Sequence, residues 1–253
     1  GGEMLSDGAQ AMIRDGALSD VDEVYAVHLW PGLAQGSVGL ASGPIMASLD
    51  RFYLRVRGED TPRPWHHRRL DGIRIGAAIV KDIDEMNRDH AASSGPGAQC
   101  MVTHFLAAHD GEALAPDEVV LEGEIRAFSE EQRQAAGARL KELAEQRASG
   151  LGGRAKLSIR NRGNVTVNHA ESVEQARQRI TRVRSDEDLN DVAPTAFSTG
   201  LSGYFESVPG AVVPLGCGGD TTEPANLLLS PSFTFDDGCL DIGVQVLAAL
   251  ALG

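Results

Sequence analysis

The chain has 253 residues, 42% of them hydrophobic, and a formal net charge of −13. That apolar content is enough for one large core or two ordinary ones. So acidic a chain repels phosphate backbones, which argues against nucleic-acid binding, and its longest apolar stretch, near Ile242–Leu252, is too short to span a bilayer.

Residues 1–48 read as a helix over Ala9–Gly16, a buried strand over Glu23–Leu29 and a Gly-rich loop region. Phe52, Leu54 and Val56 alternate through Arg51–Arg57, which predicts a strand, and Pro62 and Pro64 break regular structure after it. Asp71–Arg88 carries Ile73, Ala77, Val80 and Met86 at helical spacing, with Asp71 as its N-cap. Cys100–Leu106 is an apolar run of strand type, and Val119, Leu121, Gly123 and Ile125 alternate through Glu118–Ala127 as another strand. Ser129-Glu130-Glu131-Gln132 is a capping box that opens a helix through Leu140, Leu143 and Ala144, ended by Gly150. Ala155, Leu157 and Ile159 then alternate through Arg154–Asn161. The order β-α-β-β-α-β is the split-βαβ, ferredoxin-like arrangement.

Beyond it, a helix carries Val173, Ala176, Ile180 and Val183 on one face. A loop-rich stretch, a strand at Ala211–Leu215 and an amphipathic helix over Leu240–Leu252 follow. Helices alternating with apolar strands predict α/β layers. The expected fold is an α/β domain, residues 1–48 and 166–253, interrupted by an inserted ferredoxin-like (βαββαβ) domain at 49–165.

Cys100, Cys217 and Cys239 form no Cys-x-x-Cys pair and read as buried thiols of a reducing compartment, the cytoplasm or an organelle matrix. No cationic segment followed by an apolar one marks a signal peptide. The missing initial Met is compatible with a processed or a partial chain.

A collinear set of landmarks runs along the chain. Asp7-Gly8-Ala9-Gln10-Ala11-Met12-Ile13-Arg14-Asp15-Gly16 leads into Ala26-Val27-His28-Leu29-Trp30-Pro31-Gly32, Gly43-Pro44-Ile45-Met46-Ala47-Ser48 and Asp50-Arg51-Phe52. Asn168, Val208-Pro209-Gly210, Leu215-Gly216 and Ser230-Pro231-Ser232-Phe233 follow. Together they resemble the dinuclear-zinc aminoacylase/carboxypeptidase family, in its hippurate hydrolase and indole-acetyl-amino-acid hydrolase branch. The resemblance implies a catalytic α/β domain with a ferredoxin-like lid that also dimerises. It also implies an N-terminal segment of roughly a hundred residues, not matched here, that carries a metal motif.

Chemistry of that kind needs two divalent metals held by imidazoles and carboxylates, a carboxylate base and an oxyanion donor. By the resemblance, Glu3 falls on the general base and Met4 on a ligand carboxylate, where a neutral thioether is a poor substitute. His28 falls on a metal ligand; by itself it reads equally well as a strand-end histidine satisfied by a backbone partner. The last ligand His is replaced by Leu229, the lid His that steadies the oxyanion by Pro62, and the lid Asn that holds substrate by Ala113. A Glu-Asp-Phe segment is replaced by Thr199-Gly200-Leu201. His67, beside His66, keeps a family histidine, although adjacent loop histidines more often face solvent. Arg126 keeps an arginine associated with substrate carboxylate, but the favoured reading is a strand arginine paired with Glu122 or Glu124.

Losses to groups incapable of the work, beside intact caps and turns, lead to the expectation of a non-catalytic homologue kept as a structural or assembly subunit. No metal is expected on this reading, and a protein partner, a homodimer or a larger assembly would bind through the lid. A second reading is an active zinc-type amidohydrolase cleaving N-acyl amino acids or small peptides, with part of its site on a segment outside this chain. A third is a carboxylate-binding protein using Arg126 and Asn168.

Overall fold

The structure is a computed structural model that describes residues 7–58, 71–91, 97–107, 118–218 and 230–253. Two compact units emerge. One is made of Met46–Val165 with Ala196–Thr199; the other runs from the first helix through Ile45 and resumes over Thr166–Thr195 and Gly200–Gly253.

The first unit holds β4 (Leu49–Arg57), α2 (Gly72–Ala91), β5 (Gln99–Ala107), β6 (Glu118–Arg126), α3 (Glu130–Gly150) and β7 (Arg154–Gly163). Its sheet is antiparallel, in the order β5-β6-β4-β7. Period-two alternation builds it. Phe52, Leu54 and Val56 of β4 and Val119, Leu121 and Ile125 of β6 point to one face and are wholly buried. They pack against Ile75, Ile79 and Ile83 of α2 and Ala136, Leu140 and Ala144 of α3.

Both helix starts follow the expected local chemistry. Arg74 N–H donates to Asp71 Oδ1 at 2.8 Å, and Gln132 N–H donates to Ser129 Oγ at 3.1 Å. Gln132 Oε1 in turn accepts from Phe128 N–H, one residue before the cap.

The buried face of α2 is the expected one only in part: Met86 is buried and Val80 packs partly buried against the core. Ile73 and Ala77 are exposed, and Ile75, Ile79, Ile83 and Met86 face the sheet. The helix carries two apolar stripes, and the sheet selects the one containing Gly76. A Cβ on Gly76 would stand 2.9 Å from Phe105 Cζ and 3.0 Å from Val119 Cγ2, so the missing side chain lets the helix lie close on β5 and β6.

The second unit holds α1 (Asp7–Arg14), β1 (Val24–Trp30), β2 (Val38–Leu40), β3 (Gly43–Met46, whose last residue lies in the first unit) and β8 (Thr166–Asn168). It continues with α4 (Ala170–Ile180), β9 (Leu189–Asp191), α5 (Ser202–Phe205), β10 (Gly210–Gly216) and α6 (Gly238–Leu252). Its main sheet has the order β1-β10-β2-β9, with β1 parallel to β10 and β2 parallel to β9. β10, parallel to β1 and antiparallel to β2, is buried at every residue, as a central strand covered on both faces should be. Val173, Ala176 and Ile180 of α4 and Cys239, Val246 and Leu250 of α6 complete this core. Val183, expected on the α4 face, lies past the helix end and is exposed. The stretch read as loop contains β9 and α5, and the Gly-rich region after β1 contains β2 and β3.

The three cysteines are free and buried, and burial pushes the Cys100 thiol up to about 12. Among the described residues no helix is long and apolar enough to cross a membrane.

Candidate functional site

In α/β sheets ligands gather beyond the carboxyl ends of the strands. Here that edge is formed by β1 and β10, paired in register from Val24↔Gly210 to Trp30↔Gly216. His28 sits near the end of β1 opposite Pro214, half-buried, with its ring edge-on to Trp30 at 6.3 Å. Its Nδ1 lies 2.9 Å from Leu29 O. A carbonyl oxygen only accepts, so this nitrogen carries the proton, and Nε2 is the nitrogen through which a neutral ring would bind a metal.

A pair of metals requires several more donors converging on that nitrogen. Among the described residues no group of three or more His, Cys, Asp or Glu side chains comes together. Cys217, just past β10, is buried, and burial pushes its thiol up. The described residues therefore do not fit a dinuclear site. Glu3 and His67, with Met4, Pro62, His66, Ala113 and Leu229, lie outside the described residues.

Arg126 ends β6 in the first unit, whereas His28 belongs to the second. Its Nη2 and Nε donate to Glu124 Oε2 at 2.8 and 3.3 Å, the pairing favoured from the sequence. The structure adds a partner that no local pattern contains: Nη1 donates to Ala196 O at 2.5 Å. Ala196–Thr199 returns to this unit after a long excursion. Ala47 N–H donating to Phe197 O at 2.9 Å, and Ser198 Oγ donating to Ala47 O at 2.7 Å, hold the same segment. Arg126 thus clamps the segment that leads into Thr199-Gly200-Leu201.

Asn168 is buried at the end of β8. Its Nδ2 donates to Ala41 O and Val212 O, each at 2.9 Å, and its Oδ1 accepts from Val212 N–H at 2.7 Å. Both amide protons are consumed, so the expectation that Asn168 could grip a carboxylate is corrected: it ties β8 and the β2–β3 turn to β10. The next residue continues the tie, for Gly210 N–H donates to His169 Nδ1 at 3.1 Å. Sequence reading passed over His169. Its partner lies 41 residues away, so nothing local marks it. Asn168→Ala is expected to cost about 2 kcal/mol by stranding buried backbone groups, read as a lower urea midpoint with an unchanged slope.

The model of peptidase family M20/M25/M40 matches residues 1–253. The chain belongs to that family. This M20 chain is 28% identical over 257 residues to the N-acetylcysteine deacetylase of Bacillus subtilis (strain 168), which covers 99% of the chain and 63% of that protein. It is 34% identical over 128 residues to the N-acyl-L-amino acid amidohydrolase of Geobacillus stearothermophilus, covering 51% of the chain and 34% of that protein. Among solved structures it resembles a dinuclear metal-binding peptidase of the M20 family from Bacillus subtilis, with a TM-score of 0.77 and 24% identity over 98% of this chain and 61% of that one. An aminobenzoyl-glutamate utilization protein from Klebsiella pneumoniae matches with a TM-score of 0.66 and 19% identity, covering 97% and 58%. These likenesses establish the fold, and the chain spans about three fifths of the length of the relatives it matches along its whole length.

Proposed function

We propose that this M20 chain is a non-catalytic family member that serves as a structural or assembly subunit. Residues 49–165 act as a ferredoxin-like lid inserted in an α/β domain of zinc-peptidase type. The observation that carries the reading is what the surviving polar side chains hold. Arg126 is spent on Glu124 and Ala196 O, and Asn168 on Ala41 and Val212. Each is engaged inside its own unit rather than offered to a ligand, while by the resemblance Met4, Pro62 and Leu229 stand where the chemistry would need a carboxylate or imidazole and Ala113 where it would need an amide. Glu3, His28 and His67 are then remnants, and the lid is the surface for a partner protein.

A second reading rests on His28, whose Nε2 lone pair is left open by the bond at Nδ1. In that reading the chain is part of a metal-dependent amidohydrolase acting on N-acyl amino acids, the chemistry named for its relatives, with the remaining ligands on a segment outside it. Elemental mass spectrometry of the purified, gently desalted protein separates the two. Near-zero zinc, cobalt or manganese per chain is the expected result. About two per chain, the complement of a cocatalytic site, would overturn the proposal and call for hydrolase assays. A thermal shift with N-acyl amino acids in the metal-free protein would instead favour carboxylate binding.

A further inference from the structure

We propose that Cys217 and Cys239 form a reversible disulfide, which ties the end of β10 to the first turn of α6 when the protein meets an oxidising low-molecular-weight disulfide. The inference is independent of whether the chain is catalytic.

The two cysteines are 22 positions apart, and both are free, buried and members of one hydrophobic core. The packing of α6 on β10 brings them together. Leu215 Cδ2 stands 3.1 Å from where a Cβ on Gly243 would be, so Leu215 points at Gly243. Alternation returns Cys217, two residues on, to the face of Leu215. Cys239 precedes Gly243 by one helical turn and shares its buried face. The direction of α6 is shown by Gln35. Its Cβ lies 3.9 Å from a Cβ placed on Gly218, and its Nε2 lies 2.9 Å from one placed on Gly238. The residues beside the two cysteines thus approach the same side chain, and α6 runs back along β10 from where the strand ends. Two residues of strand and four of helix each advance about 6 Å. Cys217 and Cys239 therefore face each other much as Leu215 and Gly243 do, and the Cys239 sulfur is near enough to raise the Cys217 thiol.

Buried thiols more often serve only as small apolar side chains. That explains Cys100, which packs in the core of the other unit without a second cysteine. It does not explain two thiols converging at the ends of two elements. Gly218, at a φ of 72°, follows Cys217, and Gly238 precedes Cys239, so the backbone beside each thiol can adjust to the bond without moving a side chain of its own. The chemistry is exchange. One thiolate attacks the reagent RSSR, giving a mixed disulfide and releasing RS−, and the second thiolate displaces the other RS−. Two electrons pass to the reagent, and the two thiol protons end on two RSH. Burial pushes both thiols up, and Asp236 and Asp237 push Cys239 further, so the dithiol is the resting form and closure is slow. The closed bond makes residues 217–239 one covalent loop and fixes the last helix to the strand pair that carries His28.

The test incubates the full, folded chain with excess oxidised glutathione, then unfolds it, alkylates the remaining thiols and maps the proteolytic peptides by mass spectrometry. One cross-link is expected, Cys217 to Cys239, two hydrogens lighter than the dithiol, with Cys100 alkylated. The thermal midpoint of the oxidised protein should rise, because the bond restricts the unfolded chain, and should return when dithiothreitol is added. Cys239→Ala should abolish both the cross-link and the rise, whereas Cys100→Ser should change neither. All three thiols left free, a glutathione adduct that never closes, a bond to Cys100 or to a second chain, or a thermal midpoint that fails to rise on closure would each overturn the proposal.

Discussion

Arg133→Ala is expected to cost about 3 to 5 kcal/mol of stability at neutral pH. Asp50, in β4, has its side chain 3% exposed, and Arg133 Nη1 donates to its two carboxylate oxygens at 3.0 and 2.9 Å. Arg133 also donates through Nε and Nη2 to Glu130 on its own helix, both at 2.6 Å. The cation is therefore shared. Burial pushes the Asp50 carboxyl above its ordinary value, and the Arg133 guanidinium only partly pulls it back. Removing Arg133 leaves a buried carboxylate without its cation, which costs far more than the pair contributes.

The sign of the pH dependence follows. A carboxyl raised in the folded state contributes stability in acid and loses it as pH rises through its folded value. Deleting Arg133 raises Asp50 further, so the deficit of the variant is largest at neutral pH and shrinks toward about pH 4. Glu130 runs the other way. Hydrogen bonds from Arg133 and Gln134 hold it down at about 2, so its contribution is present above the ordinary carboxylate range and fades as pH falls toward 2. Glu130 is exposed, so Asp50 dominates. Urea unfolding at both pH values checks this, with Asp50→Asn in the same background expected to restore most of the loss. A pH-independent deficit would mean that the charge pair is not the cause.

Gly123→Ala is expected to cost about 3 kcal/mol or more. Gly123 lies in the middle of β6, opposite Phe52 of β4 on one side and Val102 of β5 on the other. A Cβ there would stand 2.3 Å from Phe52 Cζ and 2.2 Å from Met101 O. The ring has no free space to turn into, since Phe52 is wholly buried, and the carbonyl belongs to a paired strand. Relief would require β5 to move off β6. Thermal unfolding of the single variant and of Gly123→Ala with Phe52→Leu separates the two clashes. The smaller side chain relieves the ring contact alone, so the double variant should recover only part of the loss. Full recovery would show that the Met101 carbonyl moves freely.

Those two positions also show what kinds of information the chain carries locally. Gly123 is legible as a member of the β6 alternation, but the reason for a glycine there lies in a phenylalanine 71 positions earlier. Asp50 and Arg133 are 83 residues apart, and neither position predicts the other. The candidate site divides in the same way. Arg126 with Glu124 is an i, i+2 pair on one face of a strand, and the sequence anticipates it. Its bond to Ala196 O spans 70 residues, and it turns a strand arginine into the clamp of a returning segment. Asn168 reads as a free amide near a cleft until its three hydrogen bonds to Ala41 and Val212, up to 127 residues away, are in place.

By itself, then, the sequence determined whatever depends on neighbours within a turn or a strand. The alternation in β4, β6 and β7, the caps at Asp71 and Ser129, and the long helices α2 and α3 are of this kind, because their free energy is set by local periodicity and by side chain to backbone bonds three residues apart. Only the tertiary structure decided which apolar stripe of α2 faces the sheet, because both satisfy helical spacing and only packing against β5 and β6 distinguishes them. It alone produced β2 and β9, three residues each, which exist through pairing of Val38 with Leu189 and are too short to show a period. And it alone set cations of β4 and β7 face to face, Arg51 with Arg160, Arg55 with Lys156 and Arg57 with Arg154, because register is fixed by the buried face and the outer face must accept whatever that register brings together.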